Sequence, residues 1–246
     1  MGDGSARRPP ADELAATLLG RTPARVCRGR VGDVLPLPEQ LALQEAHARA
    51  RDAVHGEVDF QGLAAALAPW PTLELGSRAR DRAEYLRRPD LGRQVEEADL
   101  PRLDAAHGSY DLALVIADGL SASAVNDYAA ATATAILAEV EGYAVAPVIL
   151  VREGRVAVAD EIGARLGARA TAILIGERPG LTISDSLGIY VTAPPQPGRA
   201  DSERNCISNI NAHGLKPAAA ARLCAVILAM ARQLGRTGTD LKPPSP

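Results

Sequence analysis

Two hydrophobic patterns divide the chain near Tyr110. Before it, apolar residues are spaced at helical intervals between charged ones; after it, they gather into unbroken runs separated by glycine-containing turns. In PEQLALQEAHARARDAVHG, Leu41, Leu43, Ala46, Ala50 and Val54 form a helical stripe, Pro38 suits the first turn, and Gly56 can end the element. A second helical stretch runs from Phe60 to about Leu67 and stops before Pro69-Trp70-Pro71, where proline removes backbone donors and restricts the residue before it. DRAEYLRRPDLGRQVEE reads as a further helical segment, interrupted or restarted at Pro89. The stretch 23–107 is therefore expected to be helical and Arg-rich. Residues 1–22, with Pro9-Pro10, early glycines and several charges, are expected to form a flexible arm with one short helix starting near Ala11.

From Tyr110 the order becomes strand, turn, helix. YDLALVIADGLSASAV carries the apolar run Leu112 to Ala117, then Asp118-Gly119 and a serine ahead of an Ala-rich helix. YAVAPVILV (143–151), a segment from about Thr171 to Ile175, and LGIYVTA (187–193) read as three more buried strands, with a short helix over 158–167. KPAAAARLCAVILAMARQLG reads as a long helix covering one sheet face, and the tail DLKPPSP as disordered. Strands apolar throughout imply helices on both faces of an open, mostly parallel sheet. In such sheets ligands sit at the carboxyl ends of strands, which nominates Asp118–Ser121, Gly176–Gly180 and Asn205–Asn211, the last read as a loop.

Composition narrows the classes. The 246 residues are 47% hydrophobic and 23% charged, enough for a substantial core, and the net charge of -3 gives no general attraction to nucleic acid. The first twenty residues lack the apolar run of a signal peptide, and no stretch reaches the roughly 18 uninterrupted apolar residues of a membrane span, so a cytoplasmic protein is expected. Cys27, Cys206 and Cys224 form no C-x-x-C pair and read as reduced thiols, with no metal site. The turn ADGLSAS lacks the G-x-G-x-x-G pattern that a stand-alone nucleotide-binding or regulatory α/β module would carry. Taken alone, Cys206 reads as a core thiol, Val156 as core, and Glu177-Arg178 as a solvated turn pair.

TPARVCRGRVGD, HARARDAVHGEVD, RDRAEYLRRPDLGR, LVIADGLSASAV, RVAVADEIGARLGARATAILIGERPGL and NCISNINAHG follow one another in an order that resembles the ethanolamine ammonia-lyase small subunit. The resemblance runs from about Thr22 to Leu241, and GERPGL and CISNI are its most specific parts. It implies a heteromeric lyase converting ethanolamine to acetaldehyde and ammonia. A TIM-barrel large subunit binds substrate, and the small subunit closes over adenosylcobalamin. The family's cofactor contacts fall here on Val156, Glu177 and Cys206, with no catalytic residue on this chain. A corrinoid presents amide arms, which want backbone and carboxylate partners, while Cys206 would be a small polarizable contact.

The resulting expectation is an α/β chain: a helical N-terminal part, then over 108–241 a Rossmann-like cobalamin-binding domain. Its sheet is expected to be mostly parallel, with helices on both faces. The partner is the large subunit, in a hetero-oligomer without nucleic acid or membrane. A bacterial microcompartment around the complex is compatible with this reading.

Overall fold

The computed structural model describes residues 11–21, 25–26 and 28–242. The flexible-arm reading of residues 1–10, the reduced thiol at Cys27 and the disordered end of the tail at 243–246 lie outside these described residues. Six strands, β1 (Thr72–Gly76), β2 (Tyr110–Ala117), β3 (Val148–Arg152), β4 (Ala168–Gly176), β5 (Leu187–Thr192) and β6 (Arg204–Ile210), form one sheet in the order β1-β3-β2-β4-β5-β6. The β1–β3, β3–β2 and β2–β4 pairs are parallel, whereas β4–β5 and β5–β6 are antiparallel.

The expectation of a Rossmann-like, mostly parallel sheet is therefore corrected to a mixed α/β sheet. The physical reason lies in the connections. Only residues 177–186 separate β4 from β5, and a parallel return takes roughly a dozen or more, usually with a helix. Two segments also change type. Thr72–Gly76, inside the stretch expected to be helical, is an edge strand on β3, and the segment around Cys206, expected to be a loop, is β6. Each lies at an edge, where one side of the ladder and much of the side-chain surface stay open, so neither shows the apolar run of a central strand.

Nine helices flank these strands among the described residues: α1 (Ala11–Leu19), α2 (Leu37–His55), α3 (Phe60–Ala66), α4 (Arg82–Arg87), α5 (Leu100–Ala105), α6 (Ala122–Ala124), α7 (Ala130–Glu139), α8 (Val158–Leu166) and α9 (Pro217–Leu234). Their ends follow local chemistry. Asp59 and Asp81 accept hydrogen bonds from the Gly62 and Glu84 N–H groups at 2.8 Å, and Gly167 and Gly235 end α8 and α9 in the left-handed conformation.

Strand alternation splits the core in two. Leu112, Leu114 and Ile116 of β2 face Ala133 and Ile136 of α7 and Cys224, Ile227 and Leu228 of α9. Ala113, Val115 and Ala117 face Leu103 of α5 and Val158, Ile162 and Leu166 of α8. Each fully buried Leu or Ile here contributes roughly 1.5–3 kcal/mol. Helix α9 is long and apolar enough to be compared with a membrane span, yet its buried face lies on the sheet and it carries Arg222 and Arg232.

Coverage is uneven on the antiparallel side. There the buried Asp160–Arg204 ion pair links α8 to β6, while Tyr190 is half-buried and Cys206 exposed. The chain passes from β2 to β3 on one side and from β3 across to β4 on the other. The carboxyl ends of β2 and β4 therefore flank a crevice of the kind in which α/β sheets hold ligands.

Candidate functional site

The crevice begins with two glycines. Gly119 follows β2 with φ +60°, and a Cβ there would lie 2.3 Å from the Gly176 carbonyl oxygen; a Cβ on Gly176 would lie 2.3 Å from the Ser121 carbonyl oxygen. Only glycine lets the β2 turn cross the end of β4 so closely. The Leu120 N–H donates to the Gly176 carbonyl at 2.8 Å and closes the crossing. Ser121 caps α6 by accepting from the Ala124 N–H, and its hydroxyl donates to the Ser184 carbonyl at 2.8 Å, tying in the β4–β5 loop.

Beneath this turn Asp118 organises the neighbouring loop. Its carboxylate accepts the Glu153 N–H at 2.8 Å, the Gly154 N–H at 3.0 Å and the Gly119 N–H at 2.9 Å. Arg82 completes the cluster, donating to Glu153 Oε2 at 3.0 Å, to the Gly119 carbonyl at 2.8 Å and to the Val54 carbonyl at 2.6 Å. This arginine, from the stretch expected to be helical and Arg-rich, is an internal tie between α2, α4 and the crevice. Burial, followed by Glu153's negative charge, pushes the Asp118 carboxyl up to about 7.

The loop so held carries Arg155 and Val156 to the rim of a pocket of about 390 Å³. Val156 and Glu177 both line it, with Gly119, Gly176 and Tyr190. The Val156 carbonyl accepts from the Ala159 N–H at 3.3 Å, while its own N–H has no acceptor among the described residues. Glu177 is steered from below. Its Oε2 accepts the Ser186 hydroxyl at 2.5 Å and the Asn209 N–H at 3.4 Å, and its side chain lies over Gly188, where a Cβ would come within 2.9 Å of Oε1.

Asn209 can reach Glu177 because β6 bulges. Leu187 pairs with Ile210 and Ile189 with Ile207, so the partner strand carries an extra residue and Asn209 takes φ +63°. Cys206 does not line the pocket; it stands beside it, opposite Tyr190 in the β5–β6 register. Desolvation on the sheet face, then Glu177's charge, raise the Cys206 thiol above its ordinary value, against the opposing pull of the neighbouring Tyr190. A thiol held protonated is a polarizable contact and a poor nucleophile. His213 lines a separate cavity with Arg25 and Arg28.

The structure thus brings Val156, Glu177 and, through Tyr190, Cys206 to one side of the sheet. Sequence reasoning did not single out Tyr190, Arg155 or Tyr85. Tyr190 did have a signal: it is a lone aromatic on the alternate face of an otherwise aliphatic strand.

Comparison with known proteins agrees over nearly the whole chain. The family model for the ethanolamine ammonia-lyase light chain (EutC) matches residues 12–242. The ethanolamine ammonia-lyase small subunit of Ralstonia nicotianae is 51% identical over 229 residues, covering 90% of this chain and 85% of that protein. Those of Pseudomonas putida and Xanthomonas campestris are each 47% identical, over 244 and 242 residues, covering 96% and 95% of this chain and 90% and 89% of theirs. With a match of this extent, the chain belongs to the ethanolamine ammonia-lyase light-chain family.

Proposed function

We propose that this chain is the small subunit of an adenosylcobalamin-dependent lyase that converts ethanolamine to acetaldehyde and ammonia, and that the β2/β4 crevice is one wall of its corrinoid site. The observation that carries the reading is the meeting of Val156 and Glu177 on one open pocket, with Cys206 beside them across Tyr190. The donor set fits a corrinoid. A corrin edge bears neutral amide arms, and this rim offers a carboxylate acceptor in Glu177, a free backbone N–H at Val156, and a buried Arg155 Nε–H without an acceptor among the described residues.

At about 390 Å³ the pocket is near the small end of ligand sites, which run from about 300 to 1,000 Å³, so it can embrace only part of so large a molecule. The rest must come from a partner, the large subunit, whose TIM barrel binds ethanolamine in this proposal. Bound adenosylcobalamin supplies the radical chemistry needed to move the amino group. Glu177 holds amide N–H groups, with Ser186 and Asn209 fixing its direction. The Val156 loop, pinned by Asp118, sets the distance of the wall, and the half-buried Tyr190 face keeps water from that side. The chain alone is inactive, works in a hetero-oligomer, and resides in the cytoplasm, free or within a bacterial microcompartment.

The test is co-expression with the large subunit, followed by titration of the purified pair with cyanocobalamin and an acetaldehyde assay with and without adenosylcobalamin. The pair is expected to bind corrinoid and to form acetaldehyde only with the adenosyl cofactor. Glu177→Ala should weaken cyanocobalamin binding about tenfold or more, the worth of a hydrogen bond to a charged group. A pair that holds no corrinoid, or a Glu177→Ala pair that binds it as tightly as the parent, refutes the wall.

A further inference from the structure

We infer that Arg155 is a further cofactor-contact residue, donating its Nε–H to the carbonyl oxygen of a corrin amide arm; this rests on the corrinoid reading above. Arg155 stands between β3 and α8, next to Val156, and lines the same pocket as Glu177. It is held far more firmly than a surface arginine. Its backbone N–H donates to the Gly92 carbonyl at 2.7 Å, a terminal guanidinium nitrogen donates to the Tyr85 carbonyl at 3.3 Å, and the guanidinium carbon lies 4.2 Å from the centre of the Tyr85 ring.

That platform is rigid. Tyr85 is fully buried, and its hydroxyl donates to the Gly154 carbonyl at 3.1 Å. The path of the arginine also demands a glycine beside it: a Cβ on Gly92 would lie 2.8 Å from Arg155 Cγ and 3.1 Å from Tyr85 Cδ2. A side chain held by two contacts to Tyr85, on an anchored backbone and with a cleared path, has little rotamer freedom left to lose when it meets a ligand.

Within this arrangement the Nε–H is buried and has no acceptor among the described residues. A guanidinium N–H hidden from water without a partner is a costly feature, and one a ligand removes by bringing an oxygen. The neighbouring groups say which ligand. Glu177 and Arg178 line the same pocket, so it presents a carboxylate acceptor beside guanidinium donors, and a neutral carboxamide satisfies both kinds at once: its N–H groups go to Glu177 and its C=O to Arg155. Corrin side arms present such carboxamides.

Arg155→Lys tests this, because lysine can keep a positive charge over the Tyr85 ring while removing the Nε donor. In the complex of both subunits, dissociation constants for cyanocobalamin are measured by absorbance titration, with assembly followed by size-exclusion chromatography and Glu177→Ala run alongside. Affinity is expected to fall about 10- to 100-fold in Arg155→Lys with assembly intact. Unchanged affinity in Arg155→Lys beside a weakened Glu177→Ala overturns the role of Arg155 and leaves the corrinoid wall standing. Unchanged affinity in both overturns the wall as well. If Arg155→Lys fails to assemble, the structure of the parent complex with cyanocobalamin decides. Nε within about 3.2 Å of an amide carbonyl oxygen supports the inference, and no such contact overturns it.

Discussion

The ion pair that clamps α8 to β6 can be broken and rebuilt, and doing so tests how the rim is held. Arg204 and Asp160 have side chains only 2% and 1% exposed, and the two bonds between them are each 2.6 Å. Arg204 also donates to Thr192 Oγ1 at 2.8 Å and to the Arg199 carbonyl at 3.0 Å. Arg204→Met leaves the buried Asp160 carboxylate without its hydrogen-bonded counter-charge, a loss of about 3–5 kcal/mol, and Asp160→Leu leaves the buried guanidinium with the exposed Asp201 carboxylate at 3.7 Å, a somewhat smaller loss. The double variant removes both charges and should be far less destabilised than the sum of the two, giving a coupling of about 3 kcal/mol. Equilibrium urea unfolding of the purified chain, followed by far-ultraviolet circular dichroism, measures all four proteins. The slope should stay constant while the midpoint moves. Single variants that each lose less than about 1 kcal/mol, with an additive double, would refute the clamp.

Two further outcomes are expected. The Asp118 carboxyl sits at about 7 in the folded chain, above its ordinary range, so the folded state binds its proton more tightly than the unfolded state does. Stability from this group is complete below about pH 4 and is lost as pH rises toward and through 7, by at most about 4 kcal/mol. Asp118→Asn should flatten that slope in urea midpoints measured from about pH 4.5 to 8, and parallel profiles for parent and variant would contradict it. Gly176→Ala places a Cβ 2.3 Å from the Ser121 carbonyl oxygen and 2.6 Å from that of Asp118, both backbone atoms. The strain should cost about 1–3 kcal/mol and lower the melting temperature by several degrees; an unchanged melting temperature rules out so close a crossing.

The central elements were legible because burial on both faces writes itself as unbroken apolar sequence. Leu112 to Ala117 and the Thr171–Ile175 segment declared β2 and β4, and the Pro38 and Pro217 starts declared α2 and α9. The edges did not declare themselves. In β1, Glu74 and a mostly half-buried pattern hid a strand between two prolines and an Arg-rich helix. In β6 the alternation is broken at Ser208 and Asn209, where the bulge inserts its extra residue, so RNCISNI looks like a polar loop. The antiparallel return could have been inferred from the short spacer over 177–186. Of the site, Val156, Glu177 and Cys206 were identified through resemblance. The support beneath them was not legible: the Asp118 hub, the Tyr85 platform and the Gly92 gap join residues far apart in sequence, and local pattern does not report such meetings.

The register of β1 dictates an order of assembly. Thr72–Gly76 has a single strand neighbour, Val148–Arg152, which emerges from the ribosome more than seventy residues later. Until that segment appears, β1 has the isolated Ser77–Val95 bridge at its end but no strand to pair along its length, and its apolar side chains wait through several seconds of synthesis at about 5–20 residues per second. Its vulnerability to aggregation is therefore written into the sheet order, and ends only when β3 is delivered.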